Sequence, residues 1–478
     1  MWISDIAFEE YTKERKQNWD DNASKERIHG GDYYREWLAK TYRHCIPSGS
    51  KVLELGCGRG DLLASLKPSK GLGVDFSPAM IELAKKNYPS LNFICMDAHI
   101  LSIEGTYDYI VVSDVVNDVW DVQEILVRLR PFCHNETRLI FNFFSQVWKA
   151  PLNFARKLGL ANRNLTQNWL TCEDMRNLLY LSGYDVFRSW PEFLFPWDIP
   201  ILRSFFNVYL AKIWPFRLFD LTNFMIARPR SSIRPQWKND RPTVSVLVPA
   251  RNEAGNIEAL IERIPDMGGG TEIIFVEGNS TDNTYEVIER TIEKSSRNCR
   301  LYRQPGRGKG DAVRFGFAQA NGDILMILDA DITVPPEDLP RFYEVIYTGQ
   351  AEFVNGVRLV YPMQKQAMRF FNLLGNKFFS AAFSWLLGQP LRDTLCGTKV
   401  LTKENYEHIV ANRSYFGDFD PFGDFDLLFG AAKLNLKIVD MPIRYRDRTY
   451  GDTNIERWKH GWLLLKMVVY AAFKIKFV

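Results

Sequence analysis

Short apolar runs alternate with amphipathic runs of helical spacing over residues 51–143. The apolar runs predict five strands, at Lys51–Leu55, Gly71–Asp75, Leu91–Cys95, Tyr107–Ser113 and Thr137–Asn142. Helical patterns lie between them, for example over Pro78–Asn87 and Asp121–Leu129. Strands that alternate with helices predict a mostly parallel sheet with helices on both faces.

A second series of the same kind follows residues 229–242, a charged and proline-interrupted stretch that is the best linker candidate in the chain. Its predicted strands are Val244–Val248, Glu272–Val276, Cys299–Arg303 and Asp323–Leu328. Its predicted helices are Ile257–Arg263, Thr281–Ser295, Ala312–Ala320 and Leu339–Tyr347. The fold class is therefore predicted as α/β, with two doubly wound domains at residues 1–228 and 243–478.

Three further segments are rich in apolar residues. Residues 186–224 are aromatic and interrupted by prolines, which predicts a substrate lid or a membrane-facing patch. Residues 363–387 predict a helix on a bilayer surface, in preference to ordinary core, with a polar stripe of Lys365, Arg369, Asn372, Asn376, Ser380 and Ser384. Lysines interrupt residues 461–478, which favours an amphipathic helix in the membrane interface over one that spans it. A spanning segment beyond residue 478 is the alternative.

Composition and charge indicate which partners and which cellular compartment to expect. A net charge of +3 does not argue for a nucleic-acid partner. The seven cysteines are scattered without a C-x-x-C pair, which favours a reducing compartment and no structural zinc. The first residues lack the basic start and apolar core of a signal peptide. We therefore expect a cytoplasmic protein held peripherally at the cytoplasmic face of a membrane.

The first chemical motif, Glu54-Leu-Gly-Cys-Gly-Arg-Gly60, lies between a predicted strand and a helix. It resembles motif I of class I S-adenosylmethionine-dependent methyltransferases, which have a Rossmann-like fold, and the resemblance extends over about residues 30–228. It implies S-adenosylmethionine as cofactor. The expected cofactor-binding residues stand in the motif and at the ends of the next three strands: Glu54, Gly56, Gly58, Gly60, Asp75, Phe76, Asp97 and Asp114.

Within this resemblance, Asp75 is expected at the ribose hydroxyls, Phe76 against the adenine, and Asp114 beside the methyl donor. The methyl acceptor is not specified by the motif. His134 and Asp118 are candidates for a general base by residue type alone, and Asn142 and Tyr34 are candidates for the pocket lining.

The second motif, Asp329-Ala-Asp331, ends a predicted buried strand. A turn directly after a strand lets two such carboxylates converge, and a hard divalent cation held there offsets the charge of a departing diphosphate. We therefore predict Mg²⁺ or Mn²⁺ bound by Asp329 and Asp331.

With Val246-Leu-Val-Pro-Ala-Arg-Asn-Glu253, this half resembles family 2 glycosyltransferases of the GT-A fold. The resemblance implies a UDP- or GDP-linked sugar as donor, bound by residues of the first strand–loop, the second strand, the glycine loop and the acid pair: Pro249, Arg251, Asn252, Glu253, Glu277, Lys309 and Asp329. Glu277-Gly278 departs from the usual pair of acids, so that Glu277 alone is expected to replace their contact.

Three segments of the last third resemble dolichol-phosphate mannose and glucose synthases: Leu391–Lys399, Phe422–Leu428 and Tyr445–Asn454, in which Asn454 replaces a lysine. The resemblance implies inverting transfer to a polyprenyl phosphate or a lipid-linked glycan. Arginine forks suit phosphate oxygens, so Arg444, Arg446 and Arg448 are expected at the acceptor phosphate. Asp424 or Asp426 is the expected base if the acceptor is a sugar hydroxyl.

The favoured hypothesis is a bifunctional transferase. One alternative keeps the glycosyltransferase and makes the N-terminal half a non-catalytic module that binds S-adenosylmethionine. The other is a catalytically silent, membrane-associated binding protein.

Overall fold

The computed structural model describes residues 6–24, 29–157, 165–230, 237, 239–358, 360, 370–413, 423–446, 448, 450 and 457–477. The chain divides into two compact units, Met1–Arg230 with Phe477–Val478, and Ser231–Lys476. Each unit is built on a seven-stranded sheet. The predicted fold class of two doubly wound α/β domains is confirmed.

The first sheet has the strand order β3-β2-β1-β4-β5-β7-β6. Its strands are β1 (Lys51–Leu55), β2 (Lys70–Asp75), β3 (Asn92–Cys95), β4 (Tyr107–Ser113), β5 (Cys133–Phe144), β6 (Tyr184–Glu192) and β7 (Thr222–Pro229). Only β7 runs antiparallel to its neighbours β5 and β6. The interpretation of residues 186–224 as one lid or patch was wrong at both ends, because residues 186–192 belong to β6 and residues 222–224 to β7.

Helices cover both faces of this sheet: α1 (Ile6–Ser24), α2 (His29–Cys45), α3 (Asp61–Ser65), α4 (Pro78–Asn87), α5 (Val122–Leu129), α6 (Lys149–Lys157), α7 (Cys172–Leu181) and α8 (Pro200–Ser204). Side-chain caps fix where two of them begin. Ser77 Oγ accepts from the amide of Met80 at α4, and Asp121 accepts from the amide of Glu124 at α5. Two apolar cores, one on each side of the sheet, result from strands whose residues are buried on both faces.

The second sheet has the order β10-β9-β8-β11-β13-β12-β14. Its strands are β8 (Val244–Ala250), β9 (Thr271–Glu277), β10 (Cys299–Arg303), β11 (Ile324–Ile327), β12 (Phe353–Val357), β13 (Lys399–Thr402) and β14 (Ile438–Pro442). Strand β13 is antiparallel to β11 and β12, while the others pair in parallel. The helices are α9 (Ile257–Arg263), α10 (Thr284–Lys294), α11 (Lys309–Gln319), α12 (Leu339–Tyr347), α13 (Phe370–Leu387), α14 (Lys403–Ala411), α15 (Asp424–Lys433) and α16 (Arg457–Ala471).

The polar stripe predicted for α13 faces the interior of the unit where its side chains are described, which does not fit a helix that lies on a bilayer with this stripe exposed. The side chain of Asn376 is buried against Asp393, and the hydroxyls of Ser380 and Ser384 donate to the carbonyl of Leu391. On the same helix, Phe383 stacks on Phe425 and Phe429 of α15. Asn376, Ser380 and Ser384 therefore pack into the unit, while Lys365, Arg369 and the side chain of Asn372 lie outside what the structure describes.

Both sheets reverse their strand order at one point, between β1 and β4 in the first and between β8 and β11 in the second. The loops after such strands diverge to opposite sides and leave a crevice at the carboxyl edge, where ligands bind in open α/β sheets. The two predicted motifs follow β1 in the first unit and β11 in the second. Each unit thus presents its motif at its own switch point.

Candidate active sites

Three glycines after β1 form a turn that only residues without a Cβ fit easily. Gly56, Gly58 and Gly60 all have positive φ, at 69°, 48° and 82°. A Cβ on Gly56 would overlap the Val115 side chain, and one on Gly60 would lie 2.7 Å from Phe93. At Gly58, in contrast, nothing lies within 4 Å of the added atom. The turn is therefore packed on two sides and open at its centre, as a close-approaching ligand requires.

Asp75, at the end of β2, is tied to this turn. Its two carboxylate oxygens accept from the amides of Gly58 and Ser77, each at 2.9 Å. Burial raises the pKa of Asp75, although these amides oppose the shift. Phe76 follows with its side chain partly exposed. The carboxylate is thus fixed at the open glycine, where ribose hydroxyls would meet it.

Glu54, inside β1, has an unsatisfied acceptor. Its side chain is buried, and burial raises its pKa well above the usual value. Oxygen Oε2 has no hydrogen-bond partner among the described residues. An amino or hydroxyl group of a ligand would satisfy it. The open glycine turn, the fixed Asp75 and this orphaned oxygen fit S-adenosylmethionine, whose methyl group is electrophilic because it is bound to a sulfonium.

The other two acids predicted to bind the cofactor, Asp97 and Asp114, have different hydrogen-bond partners. Asp97 Oδ1 accepts from the amide of His99 and contacts its ring Nδ1 at 2.7 Å. Burial alone would raise the pKa of Asp97, but these bonds lower it. Asp114 follows β4 in a left-handed conformation, φ 59°, and accepts from Asn142 Nδ2 at 2.7 Å and from the Tyr34 hydroxyl at 3.3 Å. The two pocket-lining candidates therefore meet at Asp114.

The two candidates for a methyl-transfer base do not suit that role. His134 begins β5 at the amino edge of the sheet and lies 3.3 Å from Asp108, so it faces away from the glycine turn. Asp118 lies at the correct edge, but Arg15 and Trp19 of α1 each donate to its carboxylate, at 3.0 and 2.8 Å. Sequence reasoning missed α1, which also bonds to Ser77 through Asp20. No motif marks it, and only tertiary contacts reveal its role.

In the second unit, the loop after β8 is held by the loop after β9. Asn252, at φ 58°, accepts from the amide of Thr281, and its own amide donates to Ser280 Oγ at 3.0 Å. Glu277 is buried and accepts from the amide of Ser280. Arg251 is exposed and Pro249 partly so. Glu277 therefore supports the loop rather than pointing freely into the crevice.

Each acid of the pair after β11 forms an ion pair with a basic side chain of the same unit. Lys309 Nζ lies 2.7 Å from Asp329 Oδ1, and Arg448 Nη2 donates to Asp331 Oδ2 at 2.8 Å. Burial alone would raise the pKa of Asp329, but the Lys309 ammonium lowers it. Asp331 Oδ1 also accepts from the amide and hydroxyl of Thr333. Predicted metal, phosphate and acceptor residues thus meet in one cluster.

Arg448 also joins this cluster to the donor loop. Its Nη1 lies 3.2 Å from Glu253 Oε1, while Asn256 donates to Glu253 Oε2 at 2.7 Å. Burial raises the pKa of Glu253 to about 7, against the effect of Arg448. Next to it, a Cβ on Gly255 would lie 2.5 Å from the Tyr450 ring. The segment predicted to bind the acceptor therefore contacts the loop predicted to bind the donor.

The segment Leu391–Lys399, which holds Asp393 and Gly397, has a structural explanation. Asp393 is fully buried and accepts from Arg358 Nε and Nη2 at 2.7 and 2.9 Å. Burial alone would raise the pKa of Asp393, but the Arg358 guanidinium lowers it to about 2. At the other end, a Cβ on Gly397 would overlap Asp329 Oδ2 and Lys309 Nζ. Gly397 thus provides the space in which the acid pair sits.

The remaining predicted residues are only partly brought together. Arg444 and Arg446 are exposed, and the amide of Arg446 donates to the carbonyl of Thr333, which places this segment beside Asp331. Asp426, on the first turn of α15, is mostly buried and lies 2.8 Å from Arg413, so its role as base is not supported by an available carboxylate. The side chain of Asp424 lies outside the described residues, as do Asp447, Gly451, Thr453 and Asn454.

Within the described residues, no cluster of three or more histidine, cysteine or acidic side chains is arranged as a metal site. Asp329 and Asp331 nevertheless fit a divalent cation of the magnesium type, which takes one or two carboxylates and completes its shell with substrate phosphates and water. Both carboxylates remain partly exposed. The cation would replace the positive charges of Lys309 and Arg448.

Comparisons with known proteins match both halves. The model of glycosyl transferase family 2 matches residues 245–410, and a methyltransferase domain model matches residues 52–133. Glycosyltransferase AglJ of Haloferax volcanii is 28% identical over 223 residues, which cover 46% of this chain and 69% of that protein. A dolichol-phosphate mannosyltransferase of Pyrococcus furiosus is 29% identical over 236 residues, covering 47% of this chain and 64% of that protein.

Among solved structures, the chain is similar to glucosyl-3-phosphoglycerate synthase of Mycobacterium tuberculosis, with 20% identity over 51% of this chain and 86% of that chain, at a TM-score of 0.37. The curated matches reach only one half of this chain and leave about a third of each of the two relatives unmatched. The chain therefore joins a methyltransferase domain to a glycosyl transferase family 2 domain, and the predicted fusion of these two families is confirmed.

Proposed function

We propose that the second unit transfers a sugar from a UDP- or GDP-linked donor to a polyprenyl phosphate or a lipid-linked glycan, with inversion. The observation that carries the proposal is the single cluster in which Arg448 joins Asp331 to Glu253. It unites residues predicted to hold metal, acceptor and donor. The name of the Pyrococcus relative, a dolichol-phosphate mannosyltransferase, supports the acceptor class.

The side chains of this cluster have separate roles in the proposed reaction. Asp329 and Asp331 hold Mg²⁺ or Mn²⁺, which stabilises the charge of the departing diphosphate. A bound cation would take the place of Lys309 at Asp329 and of Arg448 at Asp331, and both basic side chains would then turn towards phosphate oxygens. A phosphate acceptor is already ionised and needs little help from a base, so the pairing of Asp426 with Arg413 presents no obstacle to this reaction.

The test uses the full chain, short-chain polyprenyl phosphate, and UDP- and GDP-linked hexoses with Mn²⁺, Mg²⁺ or a chelator. Asp331→Asn is expected to lower release of the nucleoside diphosphate by roughly a hundredfold, since metal stabilisation of a leaving group contributes several kcal/mol. Asp266→Asn is the matched control, because that side chain is 83% exposed. Full metal-dependent turnover by Asp331→Asn would refute the metal assignment.

We propose that the first unit transfers a methyl group from S-adenosylmethionine. The support is the glycine turn, open at Gly58, with Asp75 fixed beside it. Calorimetry with S-adenosylhomocysteine tests binding, and transfer of labelled methyl groups to a cell extract distinguishes an enzyme from a module that only binds. Binding without transfer to any extract component would leave the non-catalytic alternative.

We also propose peripheral membrane association through α16 and the helical turn that continues it, Ala472–Lys476. Trp462, Lys466, Val469 and Phe473 are exposed at spacings of four, three and four residues, so they share one face, while Leu464 and Met467 on the other side are buried. An exposed face of aromatic rings and a lysine suits the boundary between lipid headgroups and acyl chains. None of the described helices is long and apolar enough to cross a membrane.

A further inference from the structure

Asp114 lies beside the proposed cofactor turn. The residue after it, Val115, is the one whose side chain fills the space that a Cβ on Gly56 would occupy. Asp114 is therefore adjacent to the residue that packs on the glycine turn, and its left-handed backbone turns it out of the β4 direction. Such backbone strain persists where neighbouring contacts enforce it, often at functional sites.

A buried network orients the Asp114 carboxylate. Asn142 Oδ1 accepts from the hydroxyls of Tyr42 and Ser113, at 2.8 and 2.7 Å. These two donors fix the amide of Asn142 so that its Nδ2 donates to Asp114 Oδ1. The Tyr34 hydroxyl donates to the same oxygen. Asn117 Nδ2 lies 3.5 Å from this oxygen as well, so that three donors hold one oxygen of the carboxylate.

The second carboxylate oxygen of Asp114, Oδ2, has spare capacity to accept a hydrogen bond. Among the described residues, no hydrogen-bond donor reaches Asp114 Oδ2, and the residue remains partly exposed. Aromatic rings continue from Tyr34, which bonds to Asp114: its ring centroid lies 6.2 Å from that of Phe144, which lies 6.2 Å from that of Trp169. A substrate that packs on these rings would present its reactive group to a carboxylate oxygen with spare acceptor capacity.

We propose that Asp114 is the general base of a methyl-acceptor site whose substrate presents a hydroxyl group. The proposal rests on the methyl transfer proposed above. The hydroxyl oxygen forms a bond to the methyl carbon as the carbon–sulfur bond breaks, the sulfur keeps that electron pair, and Asp114 Oδ2 takes the hydroxyl proton. A neutral amine needs no such base, and an anionic acceptor would be repelled by the carboxylate.

The local charges suit this role. Burial raises the pKa of Asp114 to about 7, against the hydrogen bonds from Tyr34 and Asn142. A base with that pKa is strong enough to take a proton and still ionised in part at neutral pH. The titratable neighbours Tyr34 and Tyr42 do not compete, because burial raises both of their pKa values well above 10.

The first test uses Asp114→Asn in the full chain, with Asp21→Asn, an exposed aspartate of α1, as matched control. The expected result is a loss of at least about a hundredfold in methyl transfer, the usual contribution of a general base, with affinity for S-adenosylhomocysteine kept within twofold. An unchanged rate overturns the proposal. Lost affinity also overturns it, and assigns Asp114 to cofactor binding instead.

Tyr34→Phe provides a second readout if Asp114→Asn folds poorly. The Tyr34 hydrogen bond lowers the pKa of Asp114, so its removal should shift the rising limb of the rate–pH profile to higher pH. Infrared titration of the protonated carboxyl band should show the same upward shift without any turnover. A profile and a band that stay in place contradict the proposal.

The acceptor class is tested on the labelled product from an extract of the source cells. A methyl ether resists alkali, whereas a methyl ester releases methanol and a methylated amine keeps its label on nitrogen. Label on nitrogen or carboxylate overturns the Asp114 proposal and leaves the methyltransferase standing. No transfer at all by protein that binds S-adenosylhomocysteine overturns both.

Discussion

At the scale of the residue, Gly397 offers a sharp test of the sugar-transfer site. Gly397→Ala adds a Cβ that overlaps Asp329 and Lys309, so the acid pair must move. We expect at least about a tenfold loss of sugar transfer, since small misplacements of positioned groups cost that much or more. Release of nucleoside diphosphate by the full chain measures it.

The matched control is Gly461→Ala on α16, where nothing lies within 4 Å of the added Cβ. Alanine favours a helix over glycine by about 1 kcal/mol, so this variant should be active and no less stable. Equal activity of the two variants would mean that Asp329 has no precise role.

Asp220, just before β7, gives a prediction on stability. The residue is 1% exposed, neither carboxylate oxygen has a partner among the described residues, and burial raises its pKa to about 8. The folded state favours the protonated carboxyl of Asp220. Its contribution to the free energy of unfolding is therefore fully present below the ordinary pKa of 3.8 and is lost as pH rises towards 8. Asp220→Asn should therefore raise the melting temperature most in alkaline buffer, where the gain in the free energy of unfolding is on the order of a few kcal/mol.

Thermal unfolding across pH measures this effect. Asp198→Asn is the control, since its side chain is 57% exposed and should change stability by no more than about 0.5 kcal/mol. A stabilisation by Asp220→Asn that is independent of pH would show that ionisation of Asp220 is not its source.

Single residues of the motifs were predictable from the sequence, but their partners were not. The positions of Asp75, Asp329 and Asp331 follow from strand ends and glycine turns. The contact of Arg448 with both Asp331 and Glu253 joins segments 117 and 195 positions away, and no local pattern encodes it. The same holds for the pairing of Asp426 with Arg413, which only tertiary packing creates.

At the scale of the element, the strands that alternate with helices in the two predicted series were found, and the strands outside those series were missed: β6, β7, β12, β13 and β14. Strands β1, β4 and β10 and helices α4, α9 and α12 have the predicted bounds. Strand β12 contains Asn355 and β13 begins with Lys399, both fully buried. Their polarity hides the strand pattern. The partners of Asn355 Nδ2 and Lys399 Nζ, which are the Asp440 carboxylate and the Cys396 carbonyl, come close only in the fold.

Helix α16 carries the prediction on membrane binding. Replacing Trp462 and Phe473 by serine should lower partition onto lipid vesicles at least about tenfold, because each ring withdrawn from water contributes about 1.5–3 kcal/mol. Vesicle sedimentation of the full chain measures it. The control replaces Val127 and Leu181, which are exposed on α5 and α7, by serine. Equal losses of vesicle binding in both double variants would indicate non-specific hydrophobic adsorption rather than binding through this face.

At the scale of the whole molecule, two sheets with separate switch points predict two binding sites that respond to different ligands. A ligand at a hundred times its dissociation constant stabilises the unit that binds it by about 2.7 kcal/mol. We therefore expect S-adenosylhomocysteine to raise one melting transition of the chain, and UDP or GDP with Mn²⁺ to raise another.

Two variants should separate these responses. In Gly58→Ala, the added Cβ enters the open centre of the glycine turn, so the shift with S-adenosylhomocysteine should disappear while the nucleotide shift remains. Asp331→Asn should produce the reverse. Gly49→Ala controls for backbone strain, because Gly49 also has positive φ with nothing within 4 Å of the added atom, but precedes β1 at the opposite edge of the sheet. If either variant abolished both shifts, the ligands would not act through two separate sites, and the methyltransferase and glycosyltransferase halves would have to be treated as one cooperative binding unit.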